Sequence, residues 1–183
     1  MVAIELHTVD RHHPIVGSTT GLDLRTLHWP TEDATHAFAL QWASCAAIGN
    51  AFVALHGDLG AGKTTLVRHL LKALGVQGRI KSPTYAVVEP YELPALNIWH
   101  FDFYRFADPR EWEDAGFRDL FASTGLKLAE WPEKAAAMLP VADVDLHIRT
   151  LDDETRAVTL TAHTPTGRAL LQAAQTTDAG AAP

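Results

Sequence analysis

Short runs of apolar residues alternate along this chain with stretches that are apolar on one side only. Ala51-Phe52-Val53-Ala54-Leu55-His56 is a brief, nearly continuous apolar run, as expected of a parallel strand buried on both faces. From Lys63 the period changes. Leu66, Val67, Leu70, Leu71 and Leu74 recur at helical spacing as one stripe, with Lys72 in the last turn and Gly75 beyond it. Upstream, Pro30-Thr31-Glu32-Asp33 predicts a helix start, with Thr31 as cap and two acids where the helix dipole favours them. Phe38, Trp42 and Cys45 continue that helix and Gly49-Asn50 end it, while Leu24 to Trp29 predicts a short strand with Leu24 and Leu27 inward.

Downstream, Tyr85 to Glu89 and Asn97 to Phe103 predict strands joined by a Pro-containing connection. Polar helical stretches follow over Pro109 to Ala115 and Phe117 to Ala122, then a strand over Leu126 to Glu130. Asp143 to Thr150 and Arg156 to His163 alternate apolar and polar positions around the acidic turn Asp152-Asp153-Glu154, the pattern of a hairpin. Strands alternating with helices give an α/β class. The length of 183 residues favours a single domain, expected over 26–165. Residues 1–25 lack sustained period and read as a weakly ordered extension; 166–183 read as a short helix near Ala169 to Ala173 and a disordered tail.

Composition narrows the setting. Apolar runs reach only five residues, far short of the about 20 that span a bilayer, and no secretory pattern opens the chain. The single cysteine excludes an internal disulfide, so a cytoplasmic protein without a membrane role is expected. The ten histidines show no ligand spacing for zinc. Net charge is −7 and the Lys and Arg residues are scattered, so any nucleic acid would be reached through a partner.

Between the buried strand and the striped helix lies Gly57-Asp58-Leu59-Gly60-Ala61-Gly62-Lys63-Thr64, a full match to G-x-x-x-x-G-K-[ST]. Glycines let the backbone curl so that its N–H groups form a nest for phosphate, and the helix start adds its positive end. Lys63 is expected on the β- and γ-phosphates of ATP, Thr64 on Mg2+, and Thr65 at the α-phosphate. Such a loop needs acids at the carboxyl ends of neighbouring strands. Asp102 and Glu130 each end an apolar run; position alone does not decide which stands closer to the metal. Ser82-Pro83-Thr84-Tyr85 reads equally as a γ-phosphate-sensing loop or an ordinary turn. Arg105 fits a salt bridge better than a phosphate contact, and Trp131 fits the core better than a stacking platform.

These residues admit three activities: a partner-dependent ATPase, a small-molecule kinase, or a nucleotide-dependent scaffold that does not hydrolyse. A kinase usually carries an arginine-bearing lid, and Asp108 to Thr124 holds only Arg110 and Arg118. A scaffold would not need Asp102 and Glu130.

The segments G-D-L-G-A-G-K-T-T-L, K-S-P-T-Y, H-F-D-F-Y-R and E-W-P-E, in this order from about Thr31 to His163, resemble the bacterial TsaE (YjeE) family, the small ATPase of tRNA threonylcarbamoyladenosine biosynthesis. The resemblance implies a single P-loop NTPase domain with a mixed, mostly parallel central sheet flanked by helices. It implies binding and weak hydrolysis of ATP with Mg2+, action with TsaB and TsaD, and modification of adenosine 37 in tRNAs that read ANN codons. Carried over by position, it assigns Lys63 to phosphate, Thr64 or Thr65 to metal and phosphate, and Asp102 and Glu130 to the catalytic metal site. It places Trp131 beside the nucleotide, makes Ser82 to Tyr85 switch-like, and sets the helix start over Thr31 to Thr35, Asp33 included, near the base. Two departures stand out: the extension before residue 26, and His69 after Arg68 where the family commonly has Gly.

Overall fold

The computed structural model describes residues 23–174. Most of the predicted extension and the tail from residue 175 lie outside the described residues; Leu24 and Arg25 already belong to the first strand.

Seven strands form one sheet in the order β1-β7-β6-β2-β5-β4-β3. They are β1 (Leu24–Trp29), β2 (Phe52–His56), β3 (Val88–Leu93), β4 (Leu96–Asp102), β5 (Leu126–Glu130), β6 (Val144–Thr150) and β7 (Arg156–Ala162). The central strands β6, β2, β5 and β4 run parallel. The hairpins β3–β4 and β6–β7, with β1 on β7, supply the antiparallel margins, so the sheet is mixed with a parallel centre. Both central strands β2 and β5 are buried along their length apart from His56, which is why they read as apolar runs.

Helices α1 (Glu32–Ala43), α2 (Lys63–Ala73) and α5 (Pro165–Ala173) cover one face. There Trp42, Leu66, Leu70 and Leu170 pack against Val53, Leu55, Leu128 and Leu146 of the sheet. Helices α3 (Pro109–Asp114) and α4 (Phe117–Ala122) cover the β4–β5–β2 part of the other face. Phe101, Phe103, Trp112 and Phe117 build a smaller aromatic core there. Among the described residues no helix is long and apolar enough to cross a membrane.

Several local expectations need correction. In β1 the buried pair is Leu27 and Trp29, while Leu24 is 59 % exposed; strand side chains alternate, so Leu24 and Leu27 cannot share a face. Thr31 occupies the cap position of α1 without a side-chain capping bond. That helix ends at Ala43, because Ser44 caps it and Cys45 is extended; Gly49 and Asn50 end a separate 3-10 turn over Ala46–Asn50. The third strand starts at Val88 instead of Tyr85. Val87 sits at φ 65°, rare for a β-branched residue, and its N–H bonds back to Pro83, folding 83–87 into a turn.

Candidate functional site

The carboxyl ends of β2, β4 and β5 meet at one edge of the sheet, and the segment Gly57 to Thr64 turns from β2 into α2 there. Gly57 has φ 139°, and a Cβ on it would run into the carbonyl oxygen of Ile148 on β6. Gly60 and Gly62 hold φ values of 83° and 114°, where a side chain is strained. Ala61 is buried and its carbonyl accepts from Arg156 Nε at 3.0 Å, so β7 braces the loop from behind. The unpaired N–H groups of the first turn of α2 open onto the same loop.

Lys63 is 4 % exposed. Its ammonium donates to the carbonyls of Gly57 and Asp58, the latter at 2.9 Å, and lies 3.9 Å from the centre of the Trp131 ring. Burial pushes this ammonium below the ordinary lysine range, while the carboxylates of Glu130, Glu133, Asp102 and Asp58 pull it back up. Among the described residues the charge has no carboxylate within ion-pair distance and is held by neutral carbonyls and an aromatic face.

Asp102 and Glu130 are register partners on β4 and β5, both almost fully buried. The Thr64 hydroxyl is 2.9 Å from each oxygen of Glu130, and His100 Nε2 lies 2.8 Å from Glu130 Oε1. Asp102 accepts from the hydroxyls of Ser82 and Thr84, the latter at 2.7 Å, and from the Tyr104 N–H at 3.0 Å. The 82–84 segment is thus tied to an acid of the site. Arg105 forms no carboxylate pair among the described residues; it stacks 4.6 Å from the Tyr85 ring. Trp131, at φ 57°, roofs Lys63 and meets Tyr104 at 5.0 Å between ring centres.

Leu59, Gly60, Gly62, Lys63, Thr64, Thr65, Asp102, Glu130 and Trp131 line one cleft of about 260 Å3, closed by Ser82, Thr84 and Tyr104. Gly57, Asp58 and Ala61 shape the loop behind it. Asp33 is exposed in the first turn of α1 and is not among the cleft residues. His100, Tyr104 and Arg156 were not anticipated. Two signals point to the first two in the sequence: His100 and Tyr104 belong to the H-F-D-F-Y-R segment, and His100 stands two residues before Asp102, on the same face of a strand.

The donor set suits phosphate with Mg2+. Among the described residues no group of three or more acidic, histidine or cysteine ligands could hold a metal by itself. A hydroxyl and one or two carboxylates beside a phosphate nest is the arrangement Mg2+ uses when it keeps waters and takes substrate oxygens.

A family model described as "Threonylcarbamoyl adenosine biosynthesis protein TsaE" matches residues 29–158. A tRNA threonylcarbamoyladenosine biosynthesis protein TsaE from Haemophilus influenzae is 48% identical over 121 residues, covering 66% of this chain and 76% of the relative. The protein of that name from Bacillus subtilis is 34% identical over 141 residues, covering 76% of this chain and 87% of the relative. The crystal structure of YdiB from Bacillus subtilis superposes with a TM-score of 0.63 at 27% identity, covering 81% of this chain and 93% of that one. With a phosphate-loop cleft at the edge of a mixed sheet and a family model spanning most of its length, the chain belongs to the TsaE family.

Proposed function

We propose that this protein is the Mg2+-dependent, ATP-binding and ATP-hydrolysing subunit of a cytoplasmic machinery that installs threonylcarbamoyl on adenosine 37 of tRNAs reading ANN codons. The observation that carries the reading is the convergence of Lys63, Thr64, Asp102 and Glu130 on one cleft around the phosphate loop. Names of the relatives supply the pathway.

Phosphate oxygens offer Lys63 a better partner than the two carbonyls it now holds, so ATP draws the ammonium onto the β- and γ-phosphates. The loop N–H groups and the start of α2 receive the remaining negative charge. Thr64, with Asp102 or Glu130, would hold Mg2+, which when bound neutralises charge developing on the phosphates. Thr65 borders the α-phosphate and Trp131 covers the nucleotide. Hydrolysis joins a water oxygen to the γ-phosphorus and breaks the bond to the β–γ bridging oxygen, releasing ADP and phosphate. The buried carboxylate not engaged with metal orients that water.

A net charge of −7 leaves this subunit ill suited to grip tRNA alone, so tRNA is met through TsaB and TsaD. The bonds from Ser82 and Thr84 to Asp102 make the 82–85 turn responsive to what occupies the cleft. Reconstitution of tRNA modification from TsaB, TsaD and a threonylcarbamoyl source, with and without this chain, tests the reading, with labelled ATP followed in parallel. Modification that needs this chain together with release of free phosphate is expected. A new phosphorylated compound would indicate a kinase, and modification without turnover would indicate a scaffold.

A further inference from the structure

His100 is fully buried on β4, and nothing in the chemistry above requires it. Its Nε2 lies 2.8 Å from Glu130 Oε1, while its Nδ1 is buried with no hydrogen-bond partner among the described residues. A carboxylate oxygen that already accepts from Thr64 leaves Nε2 as the donor of this bond, and Nδ1 faces no partner among the described residues. A residue kept for packing alone would be aliphatic here. Its register partner is Leu128, its neighbour on the same face of β4 is Ile98, and an orphan ring nitrogen costs stability with no packing return.

The bond to Glu130 supplies a reason for the imidazole. Glu130 meets the Thr64 hydroxyl with both oxygens at 2.9 Å, a symmetric contact with one atom that leaves the plane of the carboxylate free to turn. Without a second donor, the carboxylate could rotate about its last bond and turn an oxygen toward Asp102, the neighbouring acid in register. We propose that His100 is a positioning residue whose Nε2–H, bonded to Oε1, locks Glu130 in the orientation that faces Thr64 and the phosphate loop. His100 and Asp102 lie on one face of β4, so a single strand supplies both an acid of the site and the donor that orients the other acid. The inference rests on the reading that Glu130 serves ATP hydrolysis.

Two variants and one spectrum test it. His100→Leu removes the donor and the orphan acceptor together; His100→Gln places an amide N–H near the former Nε2. With His100→Leu, kcat should fall about 10–100-fold while the Kd for a fluorescent ATP analogue stays within about threefold. His100→Gln should restore kcat to within about threefold of wild type, which lost packing could not explain. In the wild-type protein, nitrogen-15 spectra should show His100 protonated at Nε2, and Glu130→Gln should shift that Nε2–H resonance. Wild-type kcat in a folded His100→Leu variant would overturn the proposal, as would equal losses in the Leu and Gln variants or an Nδ1–H tautomer. If His100→Leu does not fold, the Gln variant and the spectrum still decide. Absence of phosphate release from the wild type itself would overturn the function proposed above, and the spectrum would then still report on the Glu130 contact.

Discussion

Two lysines, Lys63 and Lys127, are buried to the same 4 % exposure, and each lies near a tryptophan ring and donates to backbone carbonyls. Burial pushes both ammonium groups below the ordinary lysine range. They stand at opposite ends of β2 and β5. Lys127, at the amino end of β5, bonds the carbonyl of Ser123 just past the end of α4, and the Asp143 carboxylate pulls its ammonium back up. A cation at the carbonyl end of a helix is electrostatically at home. Lys63 is the first residue of α2, where the helix dipole opposes a cation, and four carboxylates surround it at longer range. Burial and an aromatic neighbour therefore do not mark a site. A cation held where local electrostatics disfavour it, among glycines at positive φ and converging acids, does.

The contrast breaks most sharply by mutation. On the proposed function Lys63→Ala removes contacts to two phosphates at about 1.5–3 kcal/mol each, so kcat/KM for ATP should fall by more than about a hundredfold in a phosphate-release assay. A loss below tenfold would place Lys63 with Lys127 as a structural cation. Glu130→Gln keeps the shape and the Thr64 contact but removes the charge. Turnover should drop by about a hundredfold or more while calorimetry still records ATP binding. Asp102→Ala should also cut hydrolysis, with the added effect of releasing the Ser82 and Thr84 hydroxyls.

The other two predictions concern Lys127. Lys127→Met exchanges a desolvated cation for an apolar chain of similar length and leaves the Ser123 carbonyl without its donor. These effects oppose each other within about 1 kcal/mol, so Tm should move by less than about 4 °C with ATP kinetics unchanged. A pH series sharpens the same point. The folded-state pKa of Lys127 lies below the unfolded value of 10.5, so within that window the unfolded chain holds more protons and stability rises with pH. The desolvation cost is fully present below the lowered pKa and disappears as pH climbs toward 10.5. Relative to Lys127→Met, wild type should gain stability in urea melts between neutral pH and pH 10, by a smaller margin than any effect above.

The parallel centre, the loop between β2 and α2, and the place of Asp102 and Glu130 at the ends of their strands were legible in the residues alone. Those features depend on local rules: a strand buried on both faces must be apolar throughout, a phosphate nest needs glycine at set intervals, and an acid ending an apolar run has to emerge at the sheet edge. Which neighbour each polar group meets depends on how distant segments pack. The Tyr85 end of the third predicted strand is a turn because Ser82 and Thr84 find Asp102, a partner some twenty residues away, and Val87 pays the local conformational cost. Asp33 satisfied the rule for a helix start, yet the packing of α1 leaves it exposed and outside the cleft lining. His100 opens the H-F-D-F-Y-R segment, but that segment does not say what its imidazole bonds, since an imidazole inside an apolar strand looks the same whether it is idle or bonded. Its role is set by strand register, which brings Glu130 of β5 beside it, and register depends on contacts across the whole sheet that no window of sequence contains.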